Sequence, residues 1–204
     1  MAPSSQTLES LKHAPGITGM VEPILYRWSP RAFDDRDVPA ADLKKAFEAA
    51  RWAASSYNEQ PWRFLVGHRG DPTYKKIFDA LVPFNQAWAK SAPVLILAVA
   101  RRHFNHSGEV NLHAWHDTGA AMANFALQIT ALGLHAHSMA GFDHDKAKAA
   151  FAIPDDYDTV SVTAVGYLGD PDSLPEGMRT PEVSPRQRKD LKEFVFAAWD
   201  KPAF

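Results

Sequence analysis

The stretch that most constrains this chain is Val94-Leu95-Ile96-Leu97-Ala98-Val99-Ala100, an unbroken apolar run between Pro93 and Arg101. It is far shorter than the about 20 residues a membrane-spanning helix needs. It is aliphatic and β-branched with no polar alternation, the pattern of a strand covered on both faces. Such a strand demands a layered domain with cover on either side. With 204 residues, 46% of them apolar and 23% charged, the chain is long enough for one such core and ordinary enough in composition to be globular.

Elements alternate along the chain. Leu43, Phe47, Ala50 and Ala54 recur at helical spacing after Pro39, predicting a helix over 39–54. Residues 62–67 read as a strand. Asp71 then offers an N-cap carboxylate before Pro72, opening a helix over 72–81. A short helix is expected over 85–91, and the longest helical pattern runs over 109–133, ending at Gly133. A strand over 135–139, a helix over 143–151 and a strand over 158–168 complete the core. Residues 1–20 are polar and punctuated by Pro and Gly, so they are expected to be loosely ordered. Five prolines between 154 and 185 make 170–185 a long loop. The order implies an α+β domain over 21–204 with no second domain.

Several function classes fall away. Lys plus Arg is 22 against 24 Asp plus Glu, so nucleic acid and anionic membranes are not the expected partners. Cysteine is absent, which removes thiol catalysis and cysteine-held clusters. Residues 1–20 carry no apolar signal segment, so a cytoplasmic location is expected. The usual glycine-rich nucleotide fingerprints are missing. His113 and His116 share a helix face, but no Glu completes a zinc motif, so no metal is expected. Trp88, Trp115, Phe84 and Phe104 are core candidates. Phe84 and the stretch 104–113 also qualify as borders of an aromatic substrate pocket, with His106-Ser107-Gly108 as its lid.

Four local clusters carry candidate chemistry, each with a bland alternative. In Arg27-x-Ser29-x-Arg31, Pro30 keeps Ser29 extended, so two guanidiniums and a hydroxyl share one face, suited to phosphate. Equally, those arginines could simply answer Asp34, Asp35 and Asp37. Ser55-Ser56-Tyr57-Asn58-Glu59-Gln60 could line a polar pocket or form a hydrophilic turn that lets Trp62 enter the core. Met139-Ala140-Gly141-Phe142 either exposes backbone amides to a close ligand or only turns a strand into a helix. Arg186-x-Arg188-Lys189 in isolation is a solvated charge run.

Taken in order, these clusters resemble the nitroreductase family of FMN-dependent oxidoreductases. The likeness rests on Arg27, Ser29, Arg31 and Phe33, then Ser55, Ser56, Asn58, Gln60, Pro61 and Trp62. It continues through Asn85-Gln86 ahead of Ala92-Pro93, Asp117-x-Gly119-x-Ala121, Gly133-Leu134, Ala140-Gly141-Phe142, Gly166-Tyr167 and the Arg186-x-Arg188 tail. It spans roughly residues 21–199. The resemblance implies a three-layer α/β/α fold whose mixed, mostly antiparallel central sheet is flanked by helices, in an intertwined homodimer with shared active sites.

The same resemblance implies a set of FMN contacts. Arg27, Ser29, Arg186 and Arg188 would hold the phosphate end. Arg31 would lie beside N1 and O2, where the reduced ring gathers negative charge, and Asn85 would bond the N3/O2 edge. The backbone amides of Ala140 and Gly141 would face N5 and O4, and Trp28 and Met139 would also belong to the cofactor-binding set. Ser55, Ser56 and Asn58 would reach the flavin from the other subunit. No side chain is implied as a catalytic acid or base, because flavin N5 carries the chemistry. NAD(P)H would be the electron donor, and a nitroaromatic, quinone or enone the acceptor in a ping-pong cycle. The small residues Gly119, Ala120, Ala123 and Ala126 independently suit close approach of another helix. Two departures stand out: Ala140 replaces the acidic residue of many relatives, and Asp190 replaces a proline. Residues 191–199 fit a helix by period, whereas the resemblance implies an extended arm over about 186–204. Alternatives are a flavin-binding carrier or sensor with little turnover, a flavin-cleaving or dehalogenating relative, and a flavin-free interaction domain.

Overall fold

The computed structural model describes residues 5–14 and 19–204, with only the backbone given for 5–7. In chain order it forms α1 (Ser5–Lys12), α2 (Glu22–Tyr26), α3 (Ala40–Arg51), β1 (Trp62–His68), α4 (Pro72–Ala80) and α5 (Pro83–Ala89). Then come β2 (Val94–Arg101), α6 (Ala114–Ala131), β3 (His135–Met139), α7 (His144–Phe151), β4 (Tyr157–Gly166), α8 (Arg179–Glu182), β5 (Phe196–Ala198) and β6 (Lys201–Pro202).

Four strands form one sheet in the order β1-β2-β4-β3, and every pairing in it is antiparallel. The apolar run is the centre of this sheet, and its side chains alternate between two cores. Leu95, Leu97 and Val99 pack with Ile77, Trp88 and Ala147 from α4, α5 and α7, and with Phe142 from the turn before α7. Val94, Ile96 and Ala98 pack with Leu43, Ala46, Met122 and Phe125 from α3 and α6. Two-sided burial explains why no polar residue interrupts the run. Trp88 and Phe125 anchor the two layers; each lies almost wholly inside, where truncation to Ala costs about 3–5 kcal/mol.

Local chemistry sets the joins. The Asp71 carboxylate accepts the Tyr74 N–H at 2.6 Å, capping α4 ahead of Pro72. Gly67 lets that helix lie on β1, since a Cβ there would stand 2.3 Å from the Tyr74 nitrogen. Trp62 enters the core as one of the readings allowed.

Several expectations need correction. Residues 5–12 are helical rather than loose, because Leu8 is buried and Lys12 is bonded to the segment 181–184; residues 1–4 and 15–18 lie outside the described residues. The long helix starts at Ala114, not 109. Val110 pairs with His103, and the Asn111 side chain accepts the His113 N–H, so 109–113 is a bridge and turn. Trp115 and Phe84 are not core: 49% and 58% of their surfaces are exposed. The tail is neither a helix nor a plain extended arm. Asp190 and Glu193 form a capping box on a single 3-10 turn, followed by the β5-β6 hairpin.

Candidate functional site

The Arg27–Arg31 segment crosses the free edge of β3 in extended form. Pro30 and the β3 histidines fix it there, because the His137 ring donates from Nδ1 to the Pro30 carbonyl at 2.8 Å. Arg27 Nη1 donates to Ser29 Oγ at 3.2 Å, so the two side chains share a face. The C-terminal segment arrives at the same place. Arg186 Nη1 and Nη2 donate to the carbonyls of Arg27 and Leu25, each at 2.5 Å. Burial lowers the Arg186 pKa, and the neighbouring charges of Arg188 and Arg27 lower it further. Arg27 is lowered by burial and then by Arg188. Three guanidiniums from opposite ends of the chain thus crowd one another. Among the described residues no carboxylate lies among the groups that shift Arg27 or Arg186.

The β3 histidines respond to this concentration of charge. Burial holds the His135 pKa down to about 4, with Arg27 adding to the effect. Burial likewise holds His137 at about 4; its bond to Pro30 opposes the shift, while Arg31 and Arg27 reinforce it. Both rings are therefore neutral at pH 7. Nε of Arg31 and of Arg186 are buried donors with no partner among the described residues. Unanswered guanidinium donors beside a hydroxyl form a fitting cradle for a phosphate or another multivalent anion.

Farther along β3 the chain turns at Ala140 and Gly141. Asn85, on α5, donates from Nδ2 to the Gly141 carbonyl at 2.9 Å. The contact requires glycine, since a Cβ at 141 would stand 2.7 Å from that nitrogen. With Nδ2 so engaged, the Asn85 Oδ1 is left as an oriented acceptor. The structure therefore brings Asn85, Ala140 and Gly141 together. Ala140 is exposed, whereas the Met139 and Trp28 side chains are buried.

Ser55, Ser56 and Asn58 are not brought to this place within one chain. Their loop precedes β1, the opposite edge strand, at the end of the sheet where Trp62 pairs with Ala100. Three intervening strand spacings amount to about 14 Å across the sheet. The loop is tightly built. Tyr57, Asn58 and Gln60 take positive φ (52°, 54° and 51°), which for non-glycine residues costs roughly 1–3 kcal/mol each. Asp117 of α6 offsets that strain by accepting the Ser56 N–H at 2.9 Å, and Ser55 Oγ accepts the Gln60 N–H at 3.0 Å. Glu59 holds the Asn105 N–H at 3.0 Å. Tyr57 is thereby pushed outward, against Phe104 and His106.

Sequence reasoning missed Glu182 and Lys12, which tie the cradle's segments together, and Asp117, which holds the loop. A buried charge within a proline-punctuated stretch has no local signature. For Asp117 the signal was its place in the Asp-x-Gly-x-Ala pattern.

A sequence model of the Nitroreductase family matches residues 24–82 and 68–167. The chain is 33% identical over 148 residues to an uncharacterized 15.4 kDa protein of Mycolicibacterium smegmatis, covering 69% of this chain and 99% of that one. It is 26% identical over 174 residues to a protein named NADH dehydrogenase of Thermus thermophilus, covering 70% and 83%. A crystal structure of an oxidoreductase containing FMN superposes with a TM-score of 0.84 at 35% identity, covering 90% of this chain and 93% of that one. A nitroreductase family protein of Clostridium difficile superposes at 0.69 with 26% identity, covering 88% and 98%. The chain belongs to the nitroreductase family.

Proposed function

We propose that this protein is an FMN-dependent NAD(P)H oxidoreductase that works as a homodimer. The observation that carries the reading is the convergence of Arg27, Arg186 and Arg188 beside Ser29, with burial and mutual repulsion depressing two of the guanidinium pKa values. A partly buried cluster of like charges is costly unless an anion answers it. The FMN phosphate is the anion that fits the family and the FMN-containing relative.

In this reading Arg27, Ser29 and Arg188 bind the phosphate oxygens. Arg186, whose terminal nitrogens already serve two carbonyls, contributes its charge and its Nε, which has no partner among the described residues. Arg31 stands by the pyrimidine edge and stabilises negative charge there. Asn85 presents Oδ1 to a ring N–H, and the Ala140–Gly141 turn, bonded to Asn85, offers backbone amides to the adjoining N5 and O4. When bound, FMN supplies hydride transfer from the nicotinamide and onward reduction of an electron-poor acceptor such as a nitroaromatic, quinone or enone. Ser55, Ser56 and Asn58 close the site from a second copy. The exposed apolar groups Leu112, Trp115, Leu191, Phe194 and Trp199 support such an assembly, since a lone protomer would leave them in water.

The test is a spectrum of the freshly purified protein. The expected result is a yellow protein with flavin absorbance that bleaches under anaerobic NADH or NADPH and recovers with a quinone or nitroaromatic. A colourless protein that takes up no added FMN contradicts the reading. A yellow protein that neither nicotinamide bleaches would point to a carrier.

A further inference from the structure

Lys12 is only 4% exposed, a setting in which an ammonium must be answered on every side. Its Nζ donates to the carbonyls of Pro181 at 3.0 Å and Ser184 at 2.6 Å, and lies 4.7 Å from the centroid of the Trp28 ring. Glu182, which lies between those two carbonyl contacts in sequence, is 1% exposed. Its Oε1 accepts the backbone N–H of Arg31 at 2.8 Å and of Ala32 at 3.0 Å. Burial lowers the Lys12 pKa and the Glu182 charge opposes that, so the ammonium and carboxylate sense each other.

Three segments far apart in sequence are thereby tied: α1, the stretch 25–32, and the stretch 181–186. Arg186 closes the ring through its bonds to the Leu25 and Arg27 carbonyls. Every tie falls on or next to a segment that carries a cradle arginine. Packing alone would join such segments more cheaply than a buried lysine and glutamate. What the charged tie adds is a fixed spacing between guanidiniums that repel one another. Without it, the bonds of Arg186 to the Leu25 and Arg27 carbonyls would have to resist that repulsion without the help of Lys12 and Glu182.

We propose that Lys12 and Glu182 are positioning residues of the anion cradle, so that affinity for the phosphate end of the cofactor, and not for its ring, depends on them. The proposal rests on the FMN reading above. α1 is then a brace for the phosphate site rather than a decoration of the fold.

The experiment compares FMN with riboflavin, which lacks the phosphate, by flavin-fluorescence titration of the full-length apoprotein. Wild type should prefer FMN strongly. Lys12→Met should weaken FMN at least about tenfold and leave riboflavin within about twofold, while Lys12→Arg should restore most of the preference. Equal weakening of both flavins marks a merely structural lysine and overturns the proposal, as does an unchanged FMN affinity. Should Lys12→Met fail to fold, hydrogen exchange on the wild-type protein decides. FMN should slow exchange in 8–12 and 181–184 beyond what riboflavin achieves, and equal protection overturns the proposal. A wild type with no preference for FMN over riboflavin overturns the function reading itself, and this proposal with it.

Discussion

The two edges of the central sheet are built in opposite ways. Along β3 the chain gathers like charges and leaves donors without a partner among the described residues, as at Arg31 Nε and Arg186 Nε. Before β1 it gathers backbone strain and then satisfies it, with Asp117 and Glu59 accepting the N–H groups of Ser56 and Asn105. In the proposed reading one edge is completed by the cofactor. The other is finished in itself and presents a rigid polar surface with Tyr57 displayed at its tip. The lesson is that half of the proposed site consists of unmet demand and half of preorganised supply. The sheet's width and the antiparallel order keep the halves apart within one protomer.

The contrast predicts unequal consequences for substitution. Replacing Arg27 and Arg186 together by Met should produce the largest effect, a loss of FMN affinity of about a hundredfold or more, since charge-assisted bonds contribute about 1.5–3 kcal/mol each. Flavin content after purification measures it. Normal occupancy would break the distinction between the edges, because the β3 edge would then be carrying charge for another reason.

A smaller effect concerns acid. His135 and His137 lie under the cradle with pKa values held near 4, below the ordinary 6.5. Between pH 6.5 and 4 the unfolded chain binds protons that the folded chain refuses, so stability falls as pH drops through that window. The slope is at most about 1.4 kcal/mol per pH unit for each ring. Thermal unfolding followed from pH 7 to pH 4 should show the decline, and His137→Gln should make it shallower. A transition temperature flat over that range would mean that the rings are not desolvated as described.

Much of the scaffold was legible because it depends on local rules. The 94–100 run announced a two-faced strand, Asp71-Pro72 announced a capped helix, and His135–Met139 was read with its observed limits. Errors arose where tertiary contacts decide. Nothing local in residues 5–12 says that Leu8 and Lys12 will be buried, and the helical period over 109–113 yielded to a bridge between Val110 and His103. The apolar residues of α6 point both inward and outward, so Trp115 looked like core although half of it faces out. At the site, the arginine pairs and the Ala140–Gly141 turn were visible as chemistry. Their convergence was not, because it depends on Glu182 and Lys12 joining segments about 150 residues apart.

The central claim is that one protomer's cradle and another's loop make a single site, and subunit mixing tests it most directly. An Arg27→Met/Arg186→Met protein and a Ser55→Ala/Asn58→Ala protein should each turn over poorly alone. Dissociated and reassociated at equal concentrations, they should recover about a quarter of wild-type turnover, because half the dimers are mixed and each of those regains one intact site of two. Activity that stays at the sum of the two separate variants, in a mixture proven to have exchanged subunits, would contradict the account.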